Sequence, residues 1–178
     1  TREVMHDLIL HVHRLEKSTI LFVTHDVEEA IYLGTRIVLM APHFFTEPMG
    51  LAAIAEAKTA YESGDLKAKM AKYHRNPDVA FRGWNDTWLD PKFKSWNVAE
   101  VIDYFRIPCL AIQGRDDQYG TLAQIEVIEE RSYAPVDPVV IDNCRHAPHL
   151  EQPQAVLDAV AEYAARLERI EAAEVETA

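Results

Sequence analysis

The sequence predicts an α/β fold, in which a partial parallel sheet of about four strands is flanked by helices and carries a cap-like helical insertion. Three observations support this prediction. Short apolar runs at 20–23, 36–41, 106–114 and 137–142 have the length and composition of buried strands. Amphipathic segments alternate with these runs, as helices do between parallel strands. Residues 42–104 have helical periodicity and no strand signal.

The amino-terminal part predicts a helix followed by a strand–helix–strand unit. Residues 2–16 carry apolar side chains at helical spacing, so that one face is apolar: Val4, Leu8, Ile9, Val12 and Leu15. After the run at 20–23, Asp26 is a suitable N-cap for a helix that Gly34 ends. The strand at 36–41 completes a parallel unit.

The rest of the chain predicts an aromatic insertion and then two further strands with their helices. The insertion is helical, with a break at 63–64, and its large aromatic residues are Trp84, Trp88, Phe93 and Trp96. Large aromatic side chains bury much surface area and usually serve packing first. The closing helix at 152–172 has one apolar face, formed by Val156, Val160, Tyr163 and Leu167. The segments 1–41, 42–104 and 105–178 are expected to form one compact unit.

The composition excludes several classes of partner. The 178 residues are 48% hydrophobic, which suits one globular domain, and the formal net charge is −11. A chain this acidic repels nucleic acid and anionic lipid, and its surface is typical of a cytoplasmic protein. No apolar stretch approaches the roughly 18 to 20 residues of a membrane span. Cys109 and Cys144 lack the C-x-x-C spacing of zinc or redox sites, and we expect no cofactor.

Titratable residues follow the last two predicted strands. Asp117 comes three residues after Gly114, and His146 follows the next strand. Because parallel strands end at the same sheet edge, the two can meet, with the carboxylate fixing the imidazole tautomer for general-base catalysis. Asp116 and His149 are the competing assignments. A metal site that uses His146 and His149 would lack a third ligand with convincing spacing.

From about residue 41 to 167 the chain resembles the carboxyl-terminal half of an α/β-hydrolase. "APHFF" is similar to the entry to that fold's cap, "PCLAIQGRDDQYG" to the acid strand and turn, and "NCRHAPHLEQPQAV" to the histidine loop. The resemblance implies Asp117 as acid and His146 as base in ester or carbon–carbon bond hydrolysis of a small apolar substrate. It also implies that the insertion's tryptophans, Trp84, Trp88 and Trp96, line the pocket. Arg145 departs from the glycine frequent before the histidine.

Residues 1–41 resemble a different family, the ATPases of ABC importers for nitrate, sulfonates or taurine. "TREVM" is similar to the helix after the D-loop, and "FVTHDVEEA" to the switch-histidine segment. The resemblance implies that His25 is a vestigial contact for a nucleotide γ-phosphate. Thr35 departs from the aspartate usual before the arginine. The chain has no G-x-x-x-x-G-K-[ST] loop and no Walker B acid pair, so ATP hydrolysis is not expected.

The chain lacks the G-x-S-x-G elbow that carries the nucleophile of an α/β-hydrolase. If the strand–helix–strand unit at 19–41 replaces the elbow unit in the sheet, Asp26 falls near the nucleophile position, where haloalkane dehalogenases use an aspartate. Its role as a helix N-cap is the alternative. Two other functions remain open: a non-catalytic fusion of the two families, and a fragment of an importer ATP-binding subunit. The incomplete sheet also exposes an edge through which a homodimer could form.

Overall fold

Three parallel strands form the sheet of the computed structural model, which describes residues 2–16 and 19–177, with side chains to residue 173. Strand β1 is Ile37–Met40, β2 is Cys109–Gly114 and β3 is Val136–Ile141, in the order β1-β2-β3. Ile37 lies opposite Cys109, and Cys109 lies opposite Val136. All six residues of β2 are buried because the strand has a neighbour on each side and helices on both faces.

Helices surround this sheet and make up the insertion. They are α1 (Arg2–Glu16), α2 (Val27–Leu33), α3 (Pro48–Ser63), α4 (Leu66–Met70), α5 (Pro77–Trp88), a 3₁₀ helix (Ala99–Tyr104), α6 (Ala123–Arg131), α7 (Pro148–Glu151) and α8 (Pro153–Thr177). Within the described residues, none of these helices combines the length and hydropathy that crossing a lipid bilayer requires. The predicted α/β architecture with a helical insertion is confirmed.

The core divides into two layers because side chains along β2 alternate between the faces of the sheet. Cys109 and Ala111 face one apolar cluster, which includes Phe44, Ile102, Phe105, Ile125 and Ile128. Leu110 and Ile112 face the other, which includes Ile141, Cys144, Val156, Tyr163 and Leu167. The second cluster contains the predicted apolar face of the closing helix, with Val160 packed at its margin.

The fourth predicted strand, at 20–23, does not form. These residues lie outside the sheet in irregular structure, with Leu21 91% and Val23 85% exposed. Their composition favours a strand, but a strand also needs an edge with which to exchange backbone hydrogen bonds. In this fold β1 pairs with β2 alone among the described strands. The hypothesis that residues 19–41 enter the sheet as one unit is therefore correct only for 37–40.

Helix α1 forms as predicted, but its apolar face is not buried. Val4 and Leu15 are 65% and 67% exposed, whereas the polar side of the helix lies against α2. There, His6 Nε2 lies 2.6 Å from Glu29 Oε1, and Arg2 pairs with Asp26 at 2.7 Å. Periodicity locates an apolar face correctly but cannot show whether another element covers it.

Replacing Leu21 and Val23 together with glutamate should leave the free energy of unfolding within about 0.5 kcal/mol of the parent value, because exposed side chains contribute little to folding. The same change should reduce self-association, since it removes an exposed apolar patch. Thermal unfolding and sedimentation at several protein concentrations check both effects. Ile37→Glu, which places a charge in the core, is the destabilising control. A large loss of stability in the double variant would mean that residues 20–23 are buried.

The insertion is packed onto the turn that follows β2, and this packing positions the site. Tyr61 stacks on Phe81 at 3.9 Å between α3 and α5. A Cβ atom added at Gly50 would lie 2.1 Å from the carbonyl oxygen of Tyr119, so only glycine permits this approach. Glu47 accepts hydrogen bonds from the backbone and side chain of Thr121 at 2.8 and 2.7 Å.

Candidate active site

Asp117 lies on the turn directly after β2 and is held by three donors. Its side chain is buried, and the residue is 5% exposed. Oδ1 accepts a hydrogen bond from the backbone N–H of Tyr119 at 2.8 Å. Oδ2 accepts one from Gln113 Nε2 at 2.8 Å and lies 2.8 Å from His146 Nδ1. The carboxylate is therefore fixed in orientation with one oxygen directed at the imidazole.

The loop after β3 brings His146 to this carboxylate because β2 and β3 are neighbours. The backbone N–H of Asp116 donates to the carbonyl oxygen of Cys144 at 2.9 Å, which joins the loop to the acid turn. Gly114 lies so close to this loop that an added Cβ would be 2.2 Å from the carbonyl oxygen of Arg145. The predicted meeting of Asp117 and His146 at the sheet edge is thus observed.

The electrostatics of the pair follow from burial and hydrogen bonding. Burial alone would raise the pKa of Asp117, but the hydrogen bonds from His146 and the Tyr119 N–H outweigh it, so the pKa lies below its ordinary value of 3.8. The carboxylate is therefore charged at neutral pH. A charged acceptor at Nδ1 favours the tautomer that carries its proton there and stabilises the imidazolium.

The lowered pKa of Asp117 gives a pH dependence of stability. The folded state binds this proton less tightly than the unfolded chain, so the charged carboxylate stabilises the fold above about pH 4. That contribution should be lost as the pH falls through the lower pKa of the folded state. Urea unfolding of the parent and Asp117→Asn should show a difference that shrinks below about pH 4. A difference independent of pH would contradict the lowered pKa.

The competing residues lie elsewhere. The side chain of Asp116 is exposed on the turn, and His149 is exposed in the short helix α7. Arg145 donates from Nε to Gln118 Oε1 at 3.2 Å. Its backbone N–H donates to Glu151. The guanidinium is thus engaged at the surface.

A pocket of about 180 Å³ opens beside the imidazole. It is lined by His43, Ile54, Trp84, Trp88, Tyr119 and His146. The sequence predicted Trp84 and Trp88 but not His43 or Tyr119. The signal for His43 is its position three residues after the end of β1, in "RIVLMAPHFF", and Tyr119 belongs to the acid turn.

Trp96, the third predicted tryptophan, does not line this pocket. Its ring stacks on Phe93 at 5.2 Å and meets Trp88 edge to face at 5.6 Å. Trp96 therefore supports a wall residue from behind, which corresponds to the predicted packing role of these aromatic side chains.

The structure does not bring Asp26 or His25 to this site. Asp26 caps α2, accepting a hydrogen bond from the Glu29 N–H at 2.9 Å, and pairs with Arg2. This is the N-cap alternative of the sequence analysis. His25 is exposed at a bend before the helix. Because the preceding strand is absent from the sheet, no strand-to-helix elbow directs Asp26 toward His146.

Comparison with known proteins finds no family model that matches the chain. The chain is 38% identical over 61 residues to the aliphatic sulfonates import ATP-binding protein SsuB of Bacillus cereus, covering 34% of this chain and 23% of SsuB. It is 44% identical over 43 residues to the taurine import ATP-binding protein TauB of Pseudomonas fluorescens, covering 24% and 16%. The chain thus spans less than a quarter of these relatives.

Solved structures match a larger part of the chain. BpoC of Mycobacterium tuberculosis H37Rv, assigned as a non-heme bromoperoxidase, has a TM-score of 0.53 and 17% identity over 78% of this chain and 62% of its own. The esterase EaEST of Exiguobacterium antarcticum has a TM-score of 0.51 and 14% identity over 89% and 72%. Identities this low show the fold alone. The chain therefore has a partial α/β-hydrolase-like fold, and a shorter stretch of it is similar in sequence to importer ATPases.

Proposed function

We propose that Asp117 and His146 form the acid and base of a hydrolytic site for esters of small apolar molecules. The observation that carries the proposal is the 2.8 Å contact of His146 Nδ1 with buried Asp117, beside an aromatic pocket. The carboxylate occupies Nδ1, so Nε2 is left to exchange protons with a substrate. This is the arrangement that general-base catalysis requires.

The nucleophile in this proposal is water. The pocket lining that the structure describes contains no serine, cysteine or carboxylate. His146 Nε2 would accept a proton from water while the water oxygen attacks the ester carbonyl carbon. The bond between the carbonyl carbon and the alkoxide oxygen then breaks, and His146 gives the proton to the alkoxide oxygen, which yields acid and alcohol. Without a covalent nucleophile this hydrolysis is expected to be slow.

The test is hydrolysis of a panel of activated aryl esters by the purified chain. His146→Ala should lower the rate by about 10² to 10⁴, the contribution of a general base. Asp117→Asn should also lower it, because the wrong tautomer of His146 is then favoured. Asp26→Asn is the matched control: asparagine keeps the N-cap, and the rate should not change. Equal rates for the parent and His146→Ala would overturn the proposal, and loss in Asp26→Asn would place the nucleophile at Asp26.

A binding role is the second candidate function, and the exposed apolar surface of α1 and residues 20–23 favours it. Leu8 and Leu15 of α1 and Leu21 and Val23 of the following segment are exposed. Clusters of exposed large apolar side chains are typical of contact sites between proteins. Two results together would support this role over hydrolysis. The folded parent chain would show no turnover above the His146→Ala background, and the Leu21→Glu/Val23→Glu variant would lose self-association.

A further inference from the structure

Five aromatic rings form a continuous series around the pocket, each set edge to face against the next. Trp84 meets Tyr119 at 6.0 Å and 81°, and Tyr119 meets His146 at 4.9 Å and 87°. His146 meets His43 at 5.5 Å and 62°, and His43 meets Trp88 at 5.7 Å and 76°. All five residues line the pocket, and we call this set the aromatic box.

The lining of this box holds no fixed positive charge that would repel a cation. It contains no lysine or arginine among the described residues, and Ile54 is its one aliphatic member. The buried carboxylate of Asp117 lies directly behind the imidazole of His146. Arg145 is exposed, and its Nε donates a hydrogen bond to Gln118 Oε1. The net charge of −11 adds a field that attracts cations and repels anions.

We propose that this aromatic box binds a quaternary ammonium group. Aromatic faces carry partial negative charge and attract cations that are weakly hydrated, which is how methylated ammonium groups are recognised. The volume of about 180 Å³ suits such a head group, since an engineered cavity of roughly 150 Å³ holds benzene. If the site is hydrolytic, its substrate would be an ester of a trimethylammonium alcohol, and this part of the inference rests on the proposed function. Binding of the quaternary ammonium group itself does not depend on hydrolysis.

The first test compares choline with 3,3-dimethylbutan-1-ol, which has the same shape and no charge. Tryptophan fluorescence is titrated with each compound, with sodium chloride added to equalise ionic strength. Choline should bind about tenfold more tightly, the value of a partly desolvated cation–π contact. Equal or tighter binding of the neutral alcohol, or no binding of either, would overturn the inference.

A wall residue and a remote aromatic residue give a matched pair of variants. Trp84→Leu removes one wall and should weaken choline binding about tenfold, whereas Trp84→Phe keeps an aromatic face and should retain most of it. Tyr73→Leu removes an aromatic side chain that is 86% exposed and is not part of the pocket lining, and it should bind choline as the parent does. If Trp84→Leu is unfolded by circular dichroism, Trp88→Leu replaces it. Equal weakening in the Tyr73 variant would count against a specific box.

The closing experiment separates this inference from the proposed function. Rates of hydrolysis are measured for acetylcholine and for its neutral analogue 3,3-dimethylbutyl acetate. Preference for acetylcholine would support the box and hydrolysis at this site, with a cationic ester in place of an apolar one. Selective choline binding without turnover of these two esters or of the activated aryl esters would uphold the box and overturn the hydrolytic function. Turnover that favours the neutral ester would uphold hydrolysis and overturn the box.

Discussion

Gly114→Ala is expected to lower the free energy of unfolding by about 1 to 3 kcal/mol or more, the cost of overpacking. The added Cβ would lie 2.2 Å from the carbonyl oxygen of Arg145 and 2.3 Å from that of Cys144. Both atoms belong to backbone, so the histidine loop must move away from the acid turn. The contact between Asp117 and His146 should then be lost, and with it any hydrolysis that depends on the pair.

Gly83→Ala is the matched control for this prediction. Gly83 lies inside α5, and apart from its chain neighbours and the backbone of its own helix no heavy atom of the described residues lies within 4 Å of an added Cβ. Alanine there should stabilise the protein by about 0.5 to 1 kcal/mol, because glycine loses more backbone entropy in a helix. Urea unfolding measures both variants, and the imidazole proton signals of His146 report the contact. If Gly114→Ala kept parent stability and an unchanged His146 signal, the close approach of the two loops would be wrong.

Phe105→Ala is expected to destabilise the fold by about 3 to 5 kcal/mol, which is a large part of a typical domain stability. The ring is fully buried in the cluster with Ile102 and Ile128, and alanine would leave a cavity there. Its neighbour Tyr104 is 68% exposed, so Tyr104→Ala should change stability by less than about 0.5 kcal/mol. Denaturant midpoints of the two variants check the contrast. Similar losses at both positions would contradict the assigned burial.

The meeting of Asp117 and His146 could be predicted from sequence because sheet geometry forces it. Two buried runs in a parallel sheet end at the same edge, so the residues that follow them converge. The pocket was only partly predictable. Trp84 and Trp88 were recognised by residue type, but His43 and Tyr119 reach the pocket through loop paths that no periodicity encodes. Trp96 is as aromatic as Trp84, and only the packing of Phe93 against it shows that it lies behind the wall.

Where the sequence predictions were wrong, the secondary-structure preference of the segment was correct, but the elements that should pair with it or pack against it were not. Residues 20–23 favour a strand, yet no sheet edge pairs with them in the described part of the chain. The apolar positions of α1 fall on one face as predicted, but Val4, Leu8, Val12 and Leu15 of that face are exposed. The sequence around Asp26 allowed two roles, a nucleophile on an elbow or a helix N-cap. Because the preceding residues form no strand, there is no elbow, and Asp26 is the N-cap of α2. Whether a strand is paired and whether a helix face is buried depend on the whole fold, so a short stretch of sequence cannot predict them.

The attachment of α1 has a consequence for how the molecule opens. Its contacts with α2 are mainly polar and involve Arg2, His6 and Glu29, whereas β2 is enclosed in apolar side chains on both faces. Hydrogen bonds from Thr24 and His6 hold the pKa of Glu29 below its ordinary value, so acid weakens this attachment as the carboxylate takes up a proton. Backbone amide protons of α1 should therefore exchange with solvent through a local opening, while those of β2 exchange only when the whole sheet unfolds. We therefore expect two units that open with unequal cooperativity, and Asp117, which follows β2 directly, belongs to the slower one.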